Sequence, residues 1–168
     1  AQLAYAEKHE FSDGALFARS QMGRICEEKG DIEGAKRYYD MVLSAVDAKA
    51  MGFKKGKIQL YSQRANIARM ERDFEKANHL YNMVLDSCDP VEDARHYAGT
   101  LHQLGMVQQD SGDIEHAVKC FSRSLEISER EDYEALALKT YHQLGLIYHG
   151  AYQLDEAEHF YQKSLALE

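Results

Sequence analysis

Two stretches of this sequence align at a distance of 40 residues: LHQLGMVQQDSGDIEHAVKCFSRSLEIS, from Leu101, and YHQLGLIYHGAYQLDEAEHFYQKSLALE, from Tyr141. Two earlier stretches join them with more divergence, RSQMGRICEEKGDIEGAKRYYDMVLSAV from Arg19 and YSQRANIARMERDFEKANHLYNMVLDSC from Tyr61. Equivalent positions therefore recur at offsets of 42, 40 and 40 residues. A fixed period of this length marks a repeat architecture, in which each copy is one supersecondary unit that buries its apolar face against its neighbours.

The copies share a column pattern with helical spacing. A first segment carries a large residue, another three positions on, and then a small one: Arg19, Met22, Gly23; Tyr61, Arg64, Ala65; Leu101, Leu104, Gly105; Tyr141, Leu144, Gly145. Positions i, i+3 and i+4 share one face of a helix. Glycine inside a helix costs up to ~1 kcal/mol against alanine, so its recurrence implies close approach of a second helix. That second helix brings a small residue (Ala35, Ala77, Ala117, Ala157) and, four residues later, an aromatic (Tyr39, Tyr81, Phe121, Tyr161). Small against small, with the aromatic filling the space beside them, predicts tightly packed antiparallel pairs.

The link between the helices repeats as well: GDIE at Gly30 and Gly112, RDFE at Arg72 and YQLD at Tyr152. Asp31, Asp73 and Asp113 stand where an N-cap is wanted, ahead of an apolar residue and an acidic first turn. Gln153 takes that place in the fourth copy and makes a weaker start. Asp89-Pro90 reads as a cap followed by proline in the first turn of the next helix. Pro90 is the chain's single proline, and the stretches between breakers are rich in Ala, Leu, Glu, Lys, Gln, Arg and Met, which are strong helix formers. The expected class is all-α.

The Leu-Gly, Ala and Phe/Tyr columns resemble the tetratricopeptide repeat (TPR) over nearly the whole chain. The usual TPR period is 34 residues, and here it is 40 to 42, so the helices should be longer by about a turn. Long-period arrays of this kind resemble those of kinesin light chains, cell-polarity adaptors and the sensor regions of large bacterial regulators. The resemblance implies a right-handed α-solenoid of about four antiparallel hairpins. Its expected parts are a tail helix of a preceding repeat over 1–13 and repeats over 14–50, 51–89, 90–130 and 131–168.

The tail helix is expected because Gln2, Leu3 and Tyr5 align with Ser124, Leu125 and Ile127 of a second helix. With Leu165 to Glu168 closing the sequence inside or at the end of another, the reading is of a piece of a longer array. Uncapped ends would then offer a route to self-association.

First helices line the inner surface of TPR arrays, so the residue after each small one opens a candidate groove. The expected partner-binding residues are Arg24 and Glu28; Ser62, Asn66 and Arg69; His102, Met106 and Gln109; and His142, Leu146 and His149. Asn, Arg and Gln suit the polar groups of an extended peptide, and Met106 and Leu146 suit the apolar face of an amphipathic helix. The Lys/Asn set by which some TPR domains hold acidic chaperone tails is matched here only at Asn66. Its equivalents are Arg24, Met106 and Leu146.

A formal charge of −8 argues against a nucleic-acid surface, and the single basic cluster, Lys54, Lys55 and Lys57, reads as a solvated helix end. Three cysteines without a Cys-x-x-Cys pair fit a reducing compartment, and no apolar run approaches the ~20 residues needed to span a bilayer. A cytoplasmic location is expected. Phosphate-cradling, His-Glu-x-x-His and Gly-x-Ser-x-Gly motifs are all missing. His142 and His149 stand about 10 Å apart along a helix, too far to share an ion. The expectation is a non-catalytic, protein-binding adaptor or scaffold without cofactor or metal. The alternative is the effector-sensing region of a larger regulatory protein.

Overall fold

The computed structural model describes residues 13–49 and 54–167. The expected tail helix over 1–13 lies outside them, apart from Asp13. Eight α-helices follow in chain order: α1 (Asp13–Glu28), α2 (Ile32–Lys49), α3 (Lys54–Met70), α4 (Phe74–Ser87), α5 (Ala94–Ser111), α6 (Ile114–Arg130), α7 (Glu134–Gly150) and α8 (Leu154–Leu165). No strand occurs among the described residues. The chain divides into two compact units at Ile67/Ala68, so the last turn of α3 belongs to the second. In the first unit α1 packs on α2. In the second, α4 packs on α5, α5 on α6, α6 on α7 and α7 on α8. Helices that touch their chain neighbours in succession make an α-solenoid, the class expected from the sequence.

The turns explain the repeated link. Asp31 N donates to Cys26 O at 2.8 Å and Gly30 N to Glu27 O at 2.9 Å; Asp73 N donates to Ala68 O and Arg72 N to Arg69 O. The pairs at Gly112/Asp113 and Tyr152/Gln153 repeat the arrangement. This is the Schellman closure of a helix C-terminus, and it requires one residue in the left-handed region. That residue is Gly30 (φ 77°), Arg72 (φ 62°), Gly112 (φ 90°) and Tyr152 (φ 58°). The very next residue is the N-cap of the following helix. Asp31 Oδ1 accepts from Gly34 N at 2.9 Å, Asp73 Oδ1 from Lys76 N at 3.1 Å and Asp113 Oδ1 from His116 N at 3.2 Å. Gln153 makes no such side-chain bond.

A side chain in the left-handed region costs roughly 1–2 kcal/mol that glycine avoids, and glycine's larger entropy loss on folding returns part of the gain. Tyr152 is 88% exposed and loses little packing. Tyr152→Gly is therefore expected to stabilise the protein by about 0.5–1 kcal/mol, and Gly112→Ala to destabilise it by a similar amount. Urea titration of both variants checks the pair, and a loss of stability in Tyr152→Gly refutes it.

The start of α5 corrects the reading of Asp89-Pro90. Asp89 Oδ1 accepts from Val91 N and Glu92 N, both at 2.8 Å, while Asp93 Oδ2 accepts from Asp89 N at 3.2 Å. These bonds close a separate turn, and α5 begins only at Ala94 with Asp93 as its N-cap.

The small-residue columns meet the aromatics directly. A Cβ on Gly105 would stand 2.8 Å from the Phe121 ring and one on Gly145 2.6 Å from the Tyr161 ring, while one on Gly23 would overlap Tyr39. The ring, rather than the facing alanine alone, occupies the space each glycine leaves. Tyr39, Tyr81 and Phe121 are fully buried, and Ala35, Ala77 and Ala117 are entirely inaccessible. At ~2–3 kcal/mol for each large apolar side chain removed from water, these rings anchor the hairpins. Around Phe121 lie Leu125, Ala137, Tyr141, Leu144 and Ile147, which join α6 to α7.

Candidate functional site

In the first unit the candidates range from exposed to half-buried. Arg24 and Glu28 are exposed on α1, at 4.0 Å from each other, and Arg24 Nη1 also donates to Gln21 Oε1 at 3.4 Å. Both contacts are long and leave the guanidinium loosely held. Ser62 is half-buried and donates to Ile58 O at 2.9 Å, and Asn66 is half-buried. Glu27 is engaged by the Tyr39 hydroxyl, whose pKa is raised by burial first and by that carboxylate second.

Between α1 and α3 this unit holds a cleft of about 180 Å³ lined by Phe17, Ser20, Gln21 and Arg24 from one helix and Gly56, Gln59, Leu60 and Gln63 from the other. Each set has the spacing i, i+3, i+4, i+7, so one face of each helix supplies one wall. Of this lining, the sequence pointed only to Arg24. The α3 wall lies a turn earlier than the expected Ser62 and Asn66, and Gln59 and Gln63 were missed. Their spacing of three and seven residues from Gly56 on one face of α3 was the available signal.

In the second unit the candidates divide into two groups. Arg69 Nη1 donates to Asp110 Oδ2 at 2.8 Å, tying the last turn of α3 to the last turn of α5. Beside this pair, Arg69 Nε and Gln109 Oε1 are buried without a hydrogen-bond partner. Met106 is half-buried against the Phe121 cluster. His142, Leu146 and His149 are exposed at i, i+4 and i+7 on α7, and both imidazoles face the Tyr161 ring, with centroids 6.0 and 6.4 Å away.

His102 departs from expectation. It was placed on the open face, but it is 7% exposed, with Nδ1 2.9 Å from Thr140 Oγ1 and its ring edge-on to Phe121 at 5.3 Å. Thr140 donates its own proton to Leu136 O at 2.8 Å, so its oxygen is left to accept from an Nδ1–H of His102. Burial lowers the His102 pKa to about 4, with Lys139 and Arg69 adding to the shift, so the imidazole is neutral at physiological pH. The cause is position: α5 turns this side chain toward α7, where its fourth-copy counterpart, His142, meets only the Tyr161 ring and water. His102 and His142 thus engage different partners.

Cys26 and Cys120 are free thiols, and burial pushes the Cys120 thiol up, away from the reactive thiolate. The Tyr141 hydroxyl donates to Glu129, and its pKa is pushed up to about 12 by burial and then by that carboxylate. No helix among the described residues is long and apolar enough to cross a membrane.

A family profile described as tetratricopeptide repeat matches residues 96–167, which take in α6 to α8 and nearly all of α5. No curated protein matches the chain. Among solved structures, BtubC from P. vanneervenii is similar at 21% identity and a TM-score of 0.78, over 99% of this chain and 67% of that one. Aspartyl phosphate phosphatase F from Bacillus subtilis is similar at 14% identity and a TM-score of 0.84, over 90% of this chain and 39% of that one. The signal transduction ATPase with a tetratricopeptide repeat sensor from Pyrococcus horikoshii gives 15% identity and a TM-score of 0.82, over 94% of this chain and 24% of that one. At such identities the likeness is one of fold, and this chain spans only part of each of these proteins. The repeat, its hairpins and the matched profile agree, and over residues 96–167 the chain is similar to the tetratricopeptide-repeat family.

Proposed function

We propose that the chain is a non-catalytic protein-interaction module that takes an extended peptide or an amphipathic helix on the inner faces of its first helices. The observation that carries this reading is the row His142, Leu146 and His149 on α7. All three are exposed at one helical face, and Leu146 leaves 42% of its surface in water. A row of amphipathic and apolar side chains spaced for a partner suits groove recognition. Arg24 and Glu28 of α1, with Ser62 and Asn66 of α3, offer polar contacts in the first unit, and Arg69, Met106 and Gln109 support the face of the second. In this reading the module is a cytoplasmic adaptor or scaffold that needs no cofactor and binds neither nucleic acid nor membrane.

Selection of peptides from a random library against the immobilised chain tests the reading. The combined variant H142A/L146A/H149A is expected to lose at least tenfold in affinity for peptides selected on the second unit, as removal of a hot-spot cluster does. Its thermal midpoint should stay within about 3 °C, since exposed substitutions cost little. Undiminished binding by the variant removes α7 from the site.

The Pyrococcus horikoshii tetratricopeptide repeat sensor favours a second reading, in which the array holds an effector for a larger regulatory protein. A nucleotide-binding or helix-turn-helix motif in the same polypeptide is the expected mark of that arrangement.

A further inference from the structure

We propose that a cavity between α6, α7 and α8 binds a primary ammonium group on an aliphatic stem, the chemistry shared by a free diamine and a lysine side chain. The cavity holds about 320 Å³ where the end of α6, the start of α7 and the turn closing α8 meet. None of its lining belongs to the row His142, Leu146 and His149 proposed for a partner, so the two sites stand independently. The preceding hairpin shows how the space arises. There Ala94, Leu101 and Ile127 close a cluster against which the Tyr97 ring packs. Forty residues on, the matching positions are Glu134, Tyr141, Leu167 and Ala137, and all four line the cavity. Alanine in place of the tyrosine takes away the ring that filled the space, and glutamate in place of Ala94 sets a carboxylate beside it. A core site in one hairpin is thus an open, charged one in the next.

A cavity of ~150 Å³ admits a benzene ring, and sites for whole small molecules begin at roughly 300 Å³, so the room suits a small organic ligand. The base of the cavity is apolar: Ala137 and Tyr141 are buried and Leu167 is half-buried, which gives methylene groups a surface to lie along. The polar lining accepts hydrogen bonds rather than donating them. Ser128, 1% exposed, commits its hydroxyl proton to Ser124 O at 2.8 Å, and the Tyr141 hydroxyl commits its own to Glu129. Ser128 and Glu129 keep lone pairs for a further donor, and the carboxylates of Asp132 and Glu134 add more. Three carboxylates thus face one cation, Lys163 of α8. An ammonium group brings three donors and a positive charge to such a lining, where a phosphate or carboxylate would be repelled. No group of three or more His, Cys, Asp or Glu side chains among the described residues is placed to hold a metal ion, which favours an organic cation over an inorganic one.

The test uses the 168-residue chain and three probes: 1,5-diaminopentane, the neutral 1,5-pentanediol, and the peptide Gly-Gly-Lys-Gly-Gly capped at both ends. Binding is followed by calorimetry and by NMR shifts of the Ala137 and Leu167 methyl groups. The expected result is saturable binding of an amine, with shifts at those methyls, and no binding of the diol. Glu134→Gln should weaken it about three- to fivefold, and Lys163→Met should strengthen it by a similar factor. Ala137→Tyr restores the ring of the preceding hairpin and should abolish binding. If that variant melts below the parent, Glu134→Gln and Lys163→Met decide the matter without it. H142A/L146A/H149A should bind the amine as the parent does. Binding of the diamine alone supports the proposal with a free amine as the source. Binding of the peptide, with or without the diamine, supports it with a protein lysine as the source. Equal binding of the diol, unchanged affinity in Glu134→Gln, or no saturable binding of either amine overturns it.

Discussion

Asp40→Ala is expected to lower stability by about 3 kcal/mol, whereas Arg64→Leu should leave it unchanged or raise it. Arg64 is 3% exposed on α3, with Nε 2.6 Å from Asp40 Oδ1 and Nη2 3.2 Å from Asp40 Oδ2, while Nη1 is buried without a hydrogen-bond partner. Truncating the aspartate strands a guanidinium in the interior, a loss of roughly 3–5 kcal/mol in comparable pairs. The lower end applies because the Asp40 side chain is 55% exposed and water can enter its place. For a chain of this length that is a fall of about 10 °C in the melting point. In the other copies the Arg64 column holds Met22, Leu104 and Leu144, so leucine has a precedent there. The double variant Asp40→Ala/Arg64→Leu should recover most of the loss. A single Asp40→Ala variant as stable as the parent refutes the assignment of Arg64 as a buried charge held by one partner.

The second large effect is an acid sensitivity centred on His102. Its folded-state pKa, about 4, lies below the ordinary histidine value of 6.5. The folded protein therefore resists the proton more than the unfolded chain does, and the stabilising contribution is present above pH 6.5. It drains away as the pH falls from 6.5 to 4, by about 3 kcal/mol in total at 1.36 kcal/mol per pH unit. His102→Asn keeps a donor toward Thr140 and cannot titrate. It should cost about 1 kcal/mol at pH 8 and become the more stable protein near pH 4.5. Denaturant titrations of both proteins across this range cancel the carboxylate background common to the two. Parallel stability curves without a crossing would show that His102 does not stay neutral in the fold.

The architecture was legible because its signals are local and repeated. Asp31, Asp73 and Asp113 cap the helices expected of them, and Gly23, Gly105 and Gly145 mark the places where a ring lies against a helix backbone. Asp89-Pro90 misled because a carboxylate that can cap a helix can equally hold two amides of a free-standing turn. The inner face was only partly legible. Helical spacing fixes which residues share a face, but it does not fix the axial register of neighbouring helices. In the first unit, Gly56, Gln59, Leu60 and Gln63 of α3, rather than Ser62 and Asn66, stand across from Ser20 and Arg24. His102 was misplaced for a related reason: its burial depends on Thr140, 38 residues away. Arg64 sits in a column otherwise filled by Met and Leu, and only the fold reveals the aspartate that makes it tolerable.

The turns inside the hairpins leave the polypeptide no slack. At Gly112-Asp113 the residue that finishes one helix is followed at once by the residue that begins the next. One added amino acid at such a corner would swing the incoming helix by about 100° about its axis and point its buried column at water. The six positions 88–93 are different: Cys88 N donates to Leu85 O of α4, and the turn that follows is closed by the side chains of Asp89 and Asp93. Length changes in this molecule should therefore be absorbed at that junction, which makes it the natural place to graft a tag or a foreign loop while the hairpins keep their alignment.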